Sequence, residues 1–334
     1  ELRAVGASVT AYLLERSRVA ALPRGERCFH IVYQMLAAAE RNSLPADVEK
    51  PSLKLQGRGT TRDYRYLRHG APLTPAEAEA HAAGLGRTRD ALGALHLGTE
   101  VLPKLLRIVS AALALGNVTF RPAGDGSEVQ DAAPLIDACA LLGLDPDAAA
   151  DALLSHAKKI GADMIVMAHS PTEAGALRDA LATAAYCRLF EWVLREGCEA
   201  MDGLARATEA ADAARRRCTS SAFPAAAEQA ATSAVGVLDL FGFESFTTNS
   251  LEQLLINFAN EKLQAQYVSL VLTLEQREYL DQQLTVEAVE VPQTDHALRL
   301  LEDPMGVLSL LDEQLRLGDR GSDANLTLAL QRAH

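Results

Sequence analysis

The chain has 334 residues, with 32 Lys+Arg against 44 Asp+Glu and a net charge of −12. That balance argues against a nucleic-acid partner, because affinity for phosphate backbones rests on clustered cations. A hydrophobic fraction of 49% with 23% charged residues fits a globular chain of two or three domains rather than a disordered one. No apolar run approaches the ~20 residues of a membrane span. The most apolar stretch, 101–120, is interrupted by Lys104 and Arg107.

The chain begins at Glu1 without a Met, inside what reads as a strand, so an internal piece of a longer protein is expected. Ser8–Leu14 partly alternates and is compatible with a strand, and Arg18–Leu22 is a second extended candidate before the break at Pro23-Arg24-Gly25. Helical spacing of Phe29, Val32, Tyr33 and Leu36 marks Glu26–Ala39. Residues 41–80 are rich in Pro and Gly and read as loop. Helical periodicity returns at Glu77–Leu85 and Leu102–Leu115, with Gly116-Asn117 as an expected left-handed stop. Two short helices follow, Asp131–Leu142 and Asp147–His156. Lys158–Ala168 holds a Gly-centred turn between β-favouring residues and reads as a short exposed hairpin. Glu173–Met201 is a long helix with Trp192 on its apolar face, and 202–234, rich in Ala, Arg and Ser, reads as an exposed loop or insertion.

Val235–Leu240 is a short apolar run, which suits a strand buried on both faces. Asn249 and Ser250 ahead of Glu252 and Gln253 give capping-box chemistry. Leu251, Leu254, Leu255, Phe258, Leu263, Tyr267 and Leu270 then continue at helical spacing. A helix from there to about Tyr279 would be a rod of ~45 Å at ~1.5 Å per residue.

Between strand and rod lies Asp239-Leu240-Phe241-Gly242-Phe243-Glu244. An acid at the carboxyl end of a buried strand is where nucleotide-binding α/β proteins place a metal-directed carboxylate. Gly242 allows the backbone to approach a phosphate. A second acid, Glu244, could orient a water or hold a cation. Spacing alone makes this a weak signal, since a strand, a Gly turn and two acids also arise by chance.

The wider run VGVLDLFGFESFTTNSLEQLLINFANEKLQAQYVSLVLTLEQREYL resembles the switch II and relay-helix region of a myosin motor domain. GASVTAYLLERSRV with GERCFHIVYQML is similar to the segment just after switch I. ALALGNVTF, RDALATAAYCRLFEWVL and PMGVLSLLDEQLRLGD also resemble stretches of that family, in order along the chain. The resemblance implies an α/β, predominantly helical fold, an incomplete P-loop NTPase-type motor head. Residues 1–201 would be the upper actin-binding part and 202–234 a loop or insertion. Residues 235–334 would hold switch II, the relay helix and the start of the lower part. It implies ATP and Mg2+ as ligands. Asp239 would act on the Mg2+ through water, with Phe241 beside the nucleotide. The Gly242 N–H would bond the γ-phosphate, and Glu244 would pair with a switch I Arg and help hold the attacking water. It implies actin filaments as partner, met by Lys158, Lys159 and Asp163 of the hairpin. A cytoplasmic, cytoskeletal setting follows, with light chains bound through downstream sequence.

No GxxxxGK[ST] string occurs in the chain, and no switch I string with its Arg. Both would lie upstream, and this piece alone is expected to be inactive without them. Gln293-Thr294-Asp295 departs from the family's usual Asp-Asn-Gln. A degenerate relative that binds actin or acts as a scaffold without ATPase activity is the alternative. Five scattered cysteines without a C-x-x-C pair read as free thiols, and eight dispersed histidines without H-E-x-x-H spacing read as non-ligating.

Overall fold

The computed structural model describes residues 6–12, 14–22, 24–55, 57, 59–160, 163–219, 235–284 and 295–333. They belong to two compact units. One comprises Glu1–Ala11 with Glu15–Glu228, the other Tyr12–Leu14 with Gln229–His334.

In the first unit, helices α1 (His30–Glu40) and α2 (Pro75–Ala94) pack together, and α3 (Val101–Gly116) packs against both α4 (Ala133–Leu142) and α6 (Pro171–Thr219). α5 (Pro146–Leu154) lies against α4 and α6. Two antiparallel hairpins complete the unit. β1 (Phe120–Ala123) pairs with β2 (Gly126–Val129), and β3 (Ser155–Ile160) pairs with β4 (Asp163–Ala168). The protein is therefore mostly helical, and no parallel strand pair occurs among the described residues.

α3 is the centre of the core because its apolar positions recur on every turn. Leu102, Leu105, Leu106, Val109 and Leu113 are all buried, packed with Val32, Tyr33, Met35 and Leu36 of α1 and with Tyr186 and Leu189 of α6. Trp192 is half-buried and packs against this cluster, in line with a core role. The buried Ser110 donates to the Leu53 carbonyl at 2.6 Å, which satisfies a loop carbonyl inside the core. On α6, Arg178 is only 2% exposed. Its guanidinium donates to the Val118 carbonyl at 2.6 Å and to Asp179 at 2.7 Å. Such a cation is tolerated in the interior only because it is paired and hydrogen-bonded.

α3 ends at Gly116-Asn117, as expected, but by another device. Asn117 is not left-handed, having φ −86° and ψ −9°. Its side-chain amide instead accepts from Arg65 N at 2.8 Å and donates to the Asp63 carbonyl at 2.7 Å, tying the helix end to the preceding loop. Gly116 is needed for close approach: a Cβ there would lie 2.7 Å from the Tyr66 ring. Gly116→Ala should therefore lower stability by roughly 1–3 kcal/mol, the usual cost of overpacking. Chemical denaturation checks this as a shifted midpoint.

α2 begins with a capping box. Thr74 and Glu77 bond each other's backbone N–H, with Pro75 in the first turn. Arg27 grips the same carboxylate at 2.9 and 3.0 Å. Those bonds hold Glu77 down, from an ordinary 4.5 to about 2, first through Arg27 and then through Thr74. The sign follows from linkage. The lowered carboxylate stabilises the fold fully above 4.5, and that contribution is lost as pH falls through about 2. Amide exchange in the first turn of α2 should accelerate across that window, and Glu77→Gln should remove the dependence.

Three strand expectations fail. The described residues of Ser8–Leu14 form no strand. Within Arg18–Leu22 the chain turns instead, as part of a 3-10 segment at Arg16–Val19. There the Arg18 guanidinium draws together Glu15 at 2.6 Å, Glu26 at 3.2 Å and the Arg27 carbonyl at 2.7 Å. Val235–Leu240 is not a buried strand either. It is non-regular backbone with no strand partner among the described residues, and Val235 and Val237 are 92% and 91% exposed. An apolar run becomes a strand only when a neighbouring strand supplies hydrogen bonds to its backbone. The loop or insertion expected at 202–234 is corrected only over 202–219, where the chain is helical. α6 is 49 residues long and carries Asp202–Thr219 as helix, and 220–234 lie outside the described residues. Alanine and arginine favour that state over a loop.

In the second unit, α7 (Leu251–Tyr267) continues through a π-helical stretch, Val268–Thr273, into α8 (Leu274–Asp281). The expected rod is present but carries an under-wound π step at Val268–Thr273, a feature that often marks a functional position. The apolar stripe along it is only partly covered. Ile256 and Val268 are buried, whereas Tyr267, Leu270 and Leu274 are exposed. α9 (Asp295–Glu302), α10 (Val307–Arg316) and α11 (Asp323–Ala333) complete the unit, with α9 packed on α7. Lys262 of α7 pairs with Glu302 of α9 at 2.6 Å. Gln293 and Thr294 lie outside the described residues.

Candidate functional site

The segment from Asp239 to Glu244 has no regular structure of its own, yet it is fixed to the start of α7 by three amide side chains. The helix start comes from Ser250, whose backbone N–H donates to Gln253 Oε1 at 2.9 Å within a capping box. From that first turn, Gln253, Asn257 and Asn260 recur at steps of four and three, which places them on one helix face. The buried Ile256 stands beside them, 2% exposed.

Asn257 reads both backbone groups of Glu244. Its Oδ1 accepts the Glu244 N–H at 2.8 Å, and its Nδ2 donates to the Glu244 carbonyl at 2.8 Å. This pairing does for one residue what a neighbouring strand would do. Asn260 Nδ2 donates to the Phe241 carbonyl at 2.8 Å and to the Ile256 carbonyl at 2.9 Å. Gln253 is buried and bridges two tasks. Its oxygen caps the helix, and its nitrogen donates to Glu244 Oε2 at 3.2 Å. Asn249 closes the turn between, exchanging bonds with the backbone of Phe246 at 2.9 and 3.0 Å. Sequence reasoning missed Asn257 and Asn260. The signal was there as amides at helical spacing with Gln253.

Of the expected site residues, Asp239, Phe241, Gly242 and Glu244 stand together on this one segment. Asp239 is exposed and makes no ion pair among the described residues. Around Gly242, a Cβ would meet nothing within 4 Å, and the residue has no positive φ. The fold itself therefore does not demand glycine here. Glu244 is half-buried, with one carboxylate oxygen engaged by Gln253.

Lys158, Lys159 and Asp163 sit on the β3–β4 hairpin, which confirms the expected hairpin. Lys158 stands opposite Ile165, Lys159 opposite Met164 and Asp163 opposite Ile160. The turn residues 161–162 lie outside the described residues. Lys158 is exposed, and so are Met164, Ile165, Val166 and Met167 in a row along β4. Both faces of that strand are thus open, an arrangement that marks interaction surfaces.

Cys28, Cys139, Cys187 and Cys198 are free thiols, and burial pushes Cys28 up to about 11, so it is unreactive at neutral pH. No group of metal-ligating side chains, and no helix long and apolar enough to cross a membrane, occurs among the described residues.

Comparison with known proteins identifies the family. The sequence model of the myosin head (motor domain) matches residues 1–212 and 217–334, and the chain belongs to that family. It is 33% identical to Myosin-2 of Lachancea kluyveri over 337 residues, covering 99% of this chain and 19% of that protein. It is 31% identical to unconventional myosin heavy chain 6 of Caenorhabditis elegans over 98% of this chain and 14% of the relative. Against unconventional myosin-Va of Rattus norvegicus, identity is 30% over 99% of this chain and 16% of the relative. The chain thus spans about a fifth or less of the length of these relatives.

Proposed function

We propose that this chain is the part of an actin-based, ATP-driven motor that senses the γ-phosphate and transmits its departure along α7. Residues 1–201 would form the upper actin-binding part. Residues 235–334 would form switch II, the relay helix and the start of the lower part, and 202–234 would connect them. The observation that carries the reading is the amide clamp: Asn257 and Asn260 bind the backbone of Glu244 and Phe241 directly to the rod. Any displacement of the loop is then a displacement of the helix end.

The residues present fit a nucleotide. Asp239 offers an exposed carboxylate without an ion pair among the described residues, suited to Mg2+ through water. Gly242 leaves its backbone open for approach by a phosphate oxygen. MgATP, when bound, supplies the transferable phosphoryl group. Phe241, whose carbonyl accepts from Asn260, would stand beside the nucleotide. Glu244, placed by Asn257, would orient the attacking water and pair with an arginine of switch I. Positioning and charge stabilisation are what phosphoryl transfer asks of a protein. The phosphate-cradling P-loop and the switch I arginine would come from sequence outside this chain. The setting would be the cytoplasm, on the actin cytoskeleton.

The test is ATP turnover by the intact protein with and without actin filaments. Actin-activated phosphate release supports the reading. Actin binding with no ATP binding would instead support the scaffold alternative.

Lys158, Lys159 and Asp163 would meet actin on the hairpin. An acid at Asp163 would make that contact independent of phosphorylation, because the charge is built in. Replacing Lys158 and Lys159 by Glu should weaken actin binding mainly by slowing association, since exposed interface charges act on encounter. Stopped-flow association at two ionic strengths checks this, and an unchanged rate and salt dependence would remove the hairpin from the interface.

A further inference from the structure

The base of the β3–β4 hairpin holds a side-chain pair that the motor reading does not use. His169 follows β4 directly and is anchored on four sides. Its N–H donates to the Leu154 carbonyl at 2.8 Å, and its own carbonyl accepts from Ser127 Oγ at 2.8 Å. Its ring Nδ1 lies 2.9 Å from the Leu153 carbonyl, in the last turn of α5. Its ring Nε2 lies 2.7 Å from Nδ1 of His156 on β3. His169 is only 8% exposed, so these contacts are its surroundings.

The partners fix the number of protons the pair can hold. A carbonyl only accepts, so His169 Nδ1 must carry a hydrogen. The two facing nitrogens then need one hydrogen between them. With both rings neutral, His156 Nδ1–H donates to His169 Nε2. One added proton leaves the bond in place, because a charged ring on either side can donate to a neutral one. A second added proton puts hydrogen on both facing nitrogens. The bond is then lost, and two cations face each other at contact distance.

We propose that His156 and His169 form a proton-limited latch that ties the β3–β4 hairpin to the end of α5, closed with zero or one added proton and opened by the second. Glu173, in the first turn of α6, has a carboxylate that interacts with both rings. Other charged groups on the packed elements include Asp147 and Asp151 of α5, Glu128 of β2, Lys158 of β3, and Arg178 and Asp179 of α6. None of them bonds to either ring, and Glu128 is engaged by Arg121 at 2.6 Å. The open state binds one more proton than the closed state. The latch therefore stabilises the hairpin at higher pH and is lost as pH falls through the range in which histidine takes up charge. Control of actin binding by the latch rests on the reading of the hairpin as actin-facing, whereas the latch itself does not.

The test is hydrogen–deuterium exchange on the intact protein between about pH 8 and about pH 5, corrected for intrinsic exchange. Exchange in β3 and β4 should rise roughly fivefold to tenfold at the acid end, the weight of one hydrogen bond. In His156→Gln the amide can donate to or accept from His169 at every pH, so protection should persist and its pH dependence should vanish. A hairpin whose protection does not change with pH in the native protein would overturn the latch, as would an undiminished dependence in His156→Gln. Actin affinity measured across the same range separates the two claims. If protection switches and actin affinity does not, the latch stands and the actin-facing role of the hairpin fails.

Discussion

Glu244→Ala is expected to abolish phosphate release from the intact motor while leaving ATP binding unchanged. The expectation comes from how Glu244 is held. The loop is fastened through the Glu244 backbone, both of whose groups bond to Asn257, and not through its carboxylate. Alanine keeps those bonds. It removes only the carboxylate, whose one hydrogen bond among the described residues is the 3.2 Å bond from Gln253. Loss of a group that orients the nucleophile typically lowers turnover by ~10²–10⁴-fold. Single-turnover phosphate release should fall by that factor with nucleotide affinity preserved. Turnover at the native rate would remove Glu244 from the reaction.

The second large effect concerns transmission. Asn257→Ala cuts both bonds to Glu244 at once, worth about 1 kcal/mol each. The Glu244 amide should lose protection by roughly tenfold or more, while the helix itself persists because its capping box is elsewhere, at Ser250 and Gln253. ATP should still bind, since no expected ligand residue is touched. The change that nucleotide produces at the far end of α8 should shrink or vanish. A fluorophore near Tyr279 reads this, and an undiminished nucleotide response would show that the clamp does not carry the signal.

Much of this site could be read in the sequence because its chemistry is local. The acids, the glycine and the capping residues sit within a short run, and helical spacing after Ser250 is strong. The hairpin at Lys158–Ala168 was legible for the same reason: its pairing is between neighbours in the chain. The failures are non-local. Val235–Leu240 looks like a buried strand, but strand formation depends on partners that the run cannot encode. Arg18–Leu22 looks extended until Arg18 finds Glu15, Glu26 and the Arg27 carbonyl. The stop after Gly116 was placed correctly and explained wrongly, because the Tyr66 ring and the Asn117 bonds come from a segment some fifty residues away. The extension of α6 to Thr219 shows helix propensity prevailing over a composition that resembles linker.

The central claim is that the Gly242 amide meets the outermost phosphate and that α7 follows it. The most direct measurement is a pair of structures of the intact protein, one with Mg2+ and a non-hydrolysable ATP analogue, the other nucleotide-free. The loaded form should place the Gly242 N–H within hydrogen-bond distance of a γ-phosphate oxygen, with Asn257 still on Glu244 and the start of α7 displaced relative to the empty form. A Gly242 N–H directed away from the phosphate, or an α7 in the same place in both forms, would contradict it.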